Sequence, residues 1–255
     1  MVSRFRIERL SVCALALAGV MAGLPAFAAG ASISQANGTA GLAALAPEER
    51  GDILMARGEY MAAIEAYREA PSNAQVLNKT GIAYHHLLAM DLAKQDYEKA
   101  LLIRPNYPEA INNLGAVYFA EHNFRKAIHY YQKALMLLPN SAVIAANLGT
   151  AFFARGKYEP GLAAYRRAFA LDPTVFSDSS QVISGPTTNQ DRAHQDYCIA
   201  ELFAEAGMQD RAIEYLRKAF DEGFTERNKV MENQVFAKLR QTAQFAQLMA
   251  EQKSH

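Results

Sequence analysis

Few side chains in this sequence are placed to do chemistry. His85 and His86 are adjacent, Glu98, Glu109 and Glu121 recur along one stretch, and Cys198 is the one thiol after Cys13. Neighbouring residues on a helix point about 100° apart, so a His-His pair does not converge on one ion. No His-Glu-x-x-His or Cys-x-x-Cys spacing accompanies it. There is no Gly-x-Ser-x-Gly elbow, no phosphate-cradling glycine loop and no dinucleotide fingerprint. The three glutamates read as solvated helical charges. A lone cysteine without an evident histidine partner reads as inert. The expectation is a protein that is not an enzyme and takes no metal or cofactor. A catalyst built around His85, His86 and Glu109 is the least favoured alternative.

The elements that hold these residues follow from composition and order. The chain has 255 residues, 26 basic and 26 acidic, with 51% apolar content and no Trp. That is enough to bury a sizeable core. The balanced charge, with no Lys/Arg block past residue 9, argues against a nucleic-acid or anionic-membrane partner held by charge. Residues 1–28 read as an export signal: Arg4, Arg6 and Arg9 precede an apolar run from Leu10 to Leu24, Pro25 breaks it, and Ala26-Phe27-Ala28 supplies the small residues of a cleavage site. Once cleaved, the chain is expected to keep no membrane-inserted segment and to be periplasmic or otherwise associated with the envelope. Cys13 leaves with the signal, so no intrachain disulfide can form. Residues 29–43, rich in Gly, Ala and Ser, read as a flexible tether.

Self-comparison is more informative than any local motif. Gly81, Gly115 and Gly149 step by 34 residues, and so do Tyr97, Tyr131 and Tyr165, Ala100, Ala134 and Ala168, and Pro105, Pro139 and Pro173. Each unit has Gly or Ala at position 8, aromatics at 11 and 24, small residues at 20 and 27, and Pro at 32. Between these anchors apolar residues recur at helical spacing, as in Leu114, Val117 and Tyr118 and then Ala127, Ile128, Tyr131 and Leu135, with Glu121-His122-Asn123 as the turn. Neither half can bury its apolar face alone.

These columns resemble the tetratricopeptide repeat, a 34-residue helix-turn-helix unit. The resemblance implies an all-α, right-handed superhelical solenoid of about five units closed by a C-terminal capping helix. The expected units are 44–73 (shortened, with Pro71 ending its second helix), 74–107, 108–141, 142–175 and 193–226, with an inserted loop at 176–192 and a cap at 227–255. The insertion is either a contact element or a tolerated addition. Pro160 falls in the first turn of a second helix, where a missing N–H costs nothing.

The resemblance also implies which side chains line a concave groove. These are Asn78, Lys79, Ile82, His85 and His86, then Glu109, Asn112, Asn113, Ala116 and Phe119, then Ala146, Asn147, Thr150 and Phe153. The last unit adds His194, Tyr197, Cys198, Glu201 and Glu205. Asn113 and Asn147 hold position 6 of successive units. An amide both donates and accepts, so such a row can hold the main chain of an extended peptide, as in some members of the family, or it can bond neighbouring helices. Phe119 and Phe153 are expected either to meet a partner's apolar side chains or to fill the core. A carboxylate clamp is disfavoured, because only Lys79 is cationic there and Glu109 stands where a cation would be needed. The expected function is a protein-protein interaction scaffold that binds a polypeptide segment. The alternative is an accessory subunit recruiting an envelope enzyme or assembly machinery. Oligomeric state is left open.

Overall fold

A computed structural model describes residues 42–176 and 188–251. Every regular element among them is helical, and the helices come in pairs. The pairs are α1 (Pro47–Ala56) with α2 (Tyr60–Glu69), α3 (Ala74–His86) with α4 (Met90–Ile103), and α5 (Pro108–Ala120) with α6 (Phe124–Leu137). Then come α7 (Ala142–Phe153) with α8 (Tyr158–Leu171), and α9 (Asn189–Glu205) with α10 (Gln209–Asp221). A short α11 (Arg227–Glu232), two 3₁₀ turns (Gln234–Phe236, Leu239–Gln241) and α12 (Ala243–Glu251) complete the order. Each second helix packs on its own first helix and on the first helix of the next pair, and α3, α5, α7 and α9 touch in succession. The architecture is an all-α solenoid. The expected export signal, and all but the last two residues of the expected tether, lie outside the described residues.

Local signals set the helix ends. Asn73 Oδ1 accepts from the Gln75 and Val76 N–H groups at 2.9 Å and starts α3, Pro108 occupies the first turn of α5, and Ser141 Oγ accepts from Ile144 N at 3.3 Å. The turn inside every pair places position 15 at positive φ: Gly58 at 76°, Leu88 at 59°, His122 at 57°, Gly156 at 65° and Gly207 at 75°. Leu88 and His122 carry a steric cost there that glycine avoids. Ala70 is extended at ψ 153° ahead of Pro71, so α2 has ten residues where α4, α6 and α8 have fourteen.

The pairs lock through glycine at position 8 and tyrosine at position 24. A Cβ added to Gly81 would sit 2.6 Å from the Tyr97 ring, on Gly115 2.6 Å from Tyr131, and on Gly149 2.3 Å from Tyr165. The ring therefore lies where a side chain would be, and burying one such ring stabilises by about 2 kcal/mol. The last pair solves the same problem differently. Ala200 replaces the glycine and Leu216 replaces the tyrosine, and both are fully buried. The added methyl is matched by a smaller partner.

Two expectations are corrected. Residues 176–192 are not all loop: Asn189 to Arg192 form the first turn of α9, because Thr188 Oγ1 accepts from Asp191 N at 3.1 Å. Phe176 is buried 4.7 Å from the Tyr165 ring, and its carbonyl accepts from Tyr215 Oη at 2.5 Å. Residues 177–187 are outside the described set. The cap is also not one helix. Asn233 Oδ1 accepts from Val235 N at 3.0 Å and turns the chain, after which Phe236, Leu239, Phe245 and Leu248 are buried in sequence.

Candidate interaction surface

The first helices α3, α5, α7 and α9 form the inner row of the solenoid. α5 is buried without interruption from Ala110 to Phe119, and α7 from Ile144 to Ala151. Eight of the ten candidate contact residues are consequently buried: Asn78, Asn112, Asn113, Ala116, Phe119, Asn147, Thr150 and Phe153. Lys79 and Ile82, both on α3, keep partial access. Phe119 turns into its own hairpin, 5.2 Å from the Phe124 ring, and Phe153 lies 5.1 Å from Tyr165. Thr150 Oγ1 is 2.9 Å from Tyr165 Oη and donates to the Ala146 carbonyl at 3.2 Å. The two phenylalanines and Thr150 are core residues, which corrects their reading as partner contacts.

The asparagines are corrected in the same sense. Asn113 Nδ2 donates to Asn78 Oδ1 at 3.0 Å, Asn112 Nδ2 to Asn113 Oδ1 at 3.3 Å, and Asn147 Nδ2 to Asn112 Oδ1 at 3.2 Å. A continuous chain of amides thus stitches α3, α5 and α7 together. Buried amides cost free energy unless paired, and these pair with one another. A row expected to offer hydrogen bonds to a ligand spends them between its own helices.

Register explains the pairing. In two successive units position 6 reaches position 5 of the unit before, as Asn113 reaches Asn78 and Asn147 reaches Asn112. At the first junction the same slot holds ions. Lys79, at position 6, donates to Glu48 at 2.8 Å and to Asp52 at 2.7 Å. Burial disfavours the ammonium, but the hydrogen bonds and charges of Asp52 and Glu48 outweigh it and raise its pKa. At the far end Asn233 donates to Tyr197 Oη at 2.9 Å and to Glu201 Oε1 at 2.5 Å. Glu48, Asp52 and Asn233 carry no motif; register is the only sequence signal for them.

The other chemistry-bearing candidates are dispersed. His85 is buried, its Nε2 finds no partner among the described residues, and burial plus the neighbouring His86 lower its pKa to about 4. His86 instead stacks on Tyr60 at 4.5 Å, and burial lowers its pKa too. Burial and Glu201 push the Cys198 thiol far up, so it stays protonated and unreactive. His194 lies 3.1 Å from Glu226 and stacks on Tyr158, while Glu205 takes an ion pair from Arg166 at 2.7 Å. Glu109 and Ala146 stay on the inner row, half-buried and buried respectively. No group of three or more His, Cys, Asp or Glu among the described residues is arranged to hold a metal ion.

Models of the tetratricopeptide repeat match residues 74–107 and 108–141, two abutting spans of one repeat each. Similar solved structures include the crystal structure of MamA, at 23% identity over 71% of this chain and 96% of that one, with a TM-score of 0.47. A thermophilic TPR protein of Thermus thermophilus, TTC0263, shares 18% identity over 80% of this chain and 97% of its own, with a TM-score of 0.48. The APC/C hetero-tetramer Cut9–Hcn1 shares 19% over 81% of this chain and 35% of that one, with a TM-score of 0.51. At such identities the likeness is one of fold. Residues 74–141 are two tetratricopeptide repeats, and they lie inside a run of paired helices that keeps one register.

Proposed function

We propose that this protein is a non-catalytic scaffold of the cell envelope that holds another polypeptide against the open face of α3. One observation carries the reading. Where α5 and α7 are closed, α3 leaves Gln75 exposed and Lys79, Ile82 and His86 half-open along one side of the helix. This face is mounted on a closed, amide-stitched row and has little freedom to lose on binding. Ile82 offers an apolar contact. Lys79 with Glu48 and Asp52 offers donors and acceptors to a polypeptide main chain.

The envelope setting is supported by Arg4, Arg6 and Arg9, the apolar run Leu10 to Leu24 and Ala26-Phe27-Ala28. N-terminal sequencing of protein released by osmotic shock is expected to begin at Ala29; protein retained in the cytoplasm with Met1 intact would remove the envelope from the reading. A photocrosslinking residue at Ile82 is expected to give one discrete polypeptide adduct in cells, lost in Lys79→Glu. Failure of both Gln75 and Ile82 positions to yield an adduct would sink the scaffold reading. The identity of the adduct then separates a free-standing scaffold from an accessory subunit of an envelope enzyme.

A further inference from the structure

The second helices present a surface that the inner row does not explain. Helix positions 22, 26, 29 and 30 lie four, three and one residues apart and so share one side of a helix. In α4, α6 and α8 position 26 is Lys99, Lys133 and Arg167, and none of the twelve residues at these positions is a carboxylate. Positions 29 and 30, the last turn of each helix, are apolar: Leu102 and Ile103, Met136 and Leu137, Ala170 and Leu171. Leu102 is 83% exposed, Met136 76% and Ile103 57%, so these side chains stand out from the surface. Exposed leucine, isoleucine and methionine repeated in three consecutive units are not scattered apolar residues. The surface also has ends. In α2 the equivalent of Lys99 is Glu69 and the helix stops there, and in α10 positions 22, 29 and 30 are Glu214, Asp221 and Glu222.

We propose that the C-terminal ends of α4, α6 and α8, pointed at the lipid with their cations one turn behind, form a docking surface for an anionic membrane. Each apolar pair lies three or four residues beyond its cation, an axial offset of about 4.5–6 Å. An interfacial protein buries its apolar side chains about 5–10 Å into the headgroup and acyl boundary, with Lys and Arg at the level of the phosphates. The offset matches that layering in all three repeats. Protruding tips also fit a deformable surface better than a preformed protein pocket. Lys99 keeps a bond to Asp96 at 2.8 Å, while Arg167 donates to the Pro139 carbonyl at 2.6 Å and retains its full charge. The balanced total of 26 basic and 26 acidic residues conceals this arrangement, because the three cations are 34 residues apart in sequence and share only their place in three consecutive helix pairs. The inference is independent of the α3 scaffold reading.

The test uses the full chain with Cys13→Ser, whose remaining Cys198 is buried and protonated, so that a single introduced cysteine takes an environment-sensitive fluorophore. Labels are placed in Leu102→Cys, Met136→Cys and, outside the surface, Met61→Cys, a residue 60% exposed on α2. With phosphatidylglycerol-containing vesicles the labels at 102 and 136 are expected to shift to the blue and the label at 61 to stay unchanged. Pure phosphatidylcholine vesicles should leave all three unchanged, even if the N-terminal apolar run inserts into both lipids. Changing Lys99, Lys133 and Arg167 together to Ser should weaken the response about a hundredfold. Labels at 102 and 136 that stay silent, or respond equally to both lipids and in the triple variant, would overturn the proposal. A blue shift that rises with protein concentration without vesicles would overturn it too, assigning the surface to a second copy.

Discussion

The inner faces of α5 and α7 and the outer faces of α4, α6 and α8 come from the same repeats yet follow opposite rules. Inside, polar residues are buried and pair with one another: Asn78, Asn113, Asn112 and Asn147 form one amide chain. Outside, apolar residues are exposed and unpartnered: Leu102, Ile103 and Met136 stand in solvent. Each inverts the usual placement of its residue type, and the difference shows where free energy is already spent. The amides have satisfied their hydrogen bonds within the fold, whereas the apolar tips can still gain by being covered.

Variants can break this contrast, and the largest effect belongs inside. Gly115→Leu forces atoms into the Tyr131 ring, which a Cβ alone approaches to 2.6 Å, and is expected to cost about 3 kcal/mol or more in urea unfolding. A Gly115→Leu protein of normal stability would contradict the pairing of α5 with α6. Asn112→Ala breaks the chain at its double link, leaving Asn147 without its Oδ1 acceptor and Asn113 without its Nδ2 donor. It should lose about 2 kcal/mol, read from the denaturant midpoint. If Asn112→Ala instead leaves stability unchanged, the amides are not stitched together in solution.

Two tyrosines at the same register sharpen the comparison. Tyr165 Oη bonds Thr150 at 2.9 Å, but position 9 of the preceding unit is Ala116, and Tyr131 Oη finds no partner among the described residues. Tyr165→Phe should therefore cost about 1 kcal/mol, while Tyr131→Phe should be neutral or stabilising by calorimetry. Equal losses at both sites would refute the distinction.

Asp196 on α9 gives a pH-dependent handle. Burial, with Glu222 and Glu214 nearby and only partly offset by Lys218 and Arg192, raises its pKa to about 7. The folded state then holds a proton more tightly than the unfolded chain, so this group's contribution is most favourable near pH 4 and is lost as pH rises through about 7. Asp196→Asn should raise the melting temperature at pH 8 and leave it nearly unchanged at pH 4; a lower melting temperature at pH 8 would show that the fold favours the Asp196 carboxylate and contradict the raised pKa. The smallest effect is outside. Leu102→Ser with Met136→Ser should change stability by less than about 0.5 kcal/mol, because both side chains are already in water. A large loss in thermal unfolding would mean that these tips are covered within the fold.

The paired helices were legible because each anchor column has a local steric meaning. Gly115 leaves room for Tyr131, and proline after α2, α4, α6 and α8 forbids their continuation. Helix starts at Asn73, Ser141 and Thr188 were equally present as capping residues, although Thr188 sits inside a segment whose composition reads as loop. The interaction site was less legible. Asn113 and Asn147 were visible as a row, but a sequence does not state whether an amide faces water or another amide.

The order of residues alone determined the period, the two-helix unit and the side of each helix that must be buried, since those depend on helical spacing and on contacts within one hairpin. How far α5 and α7 close against their neighbours was decided only in the stack. So were the partners of Lys79 and Asn233, and so was the exposure of Leu102, Ile103 and Met136. Those features join residues about one repeat or more apart, and the geometry between units follows from how side chains at every junction pack together.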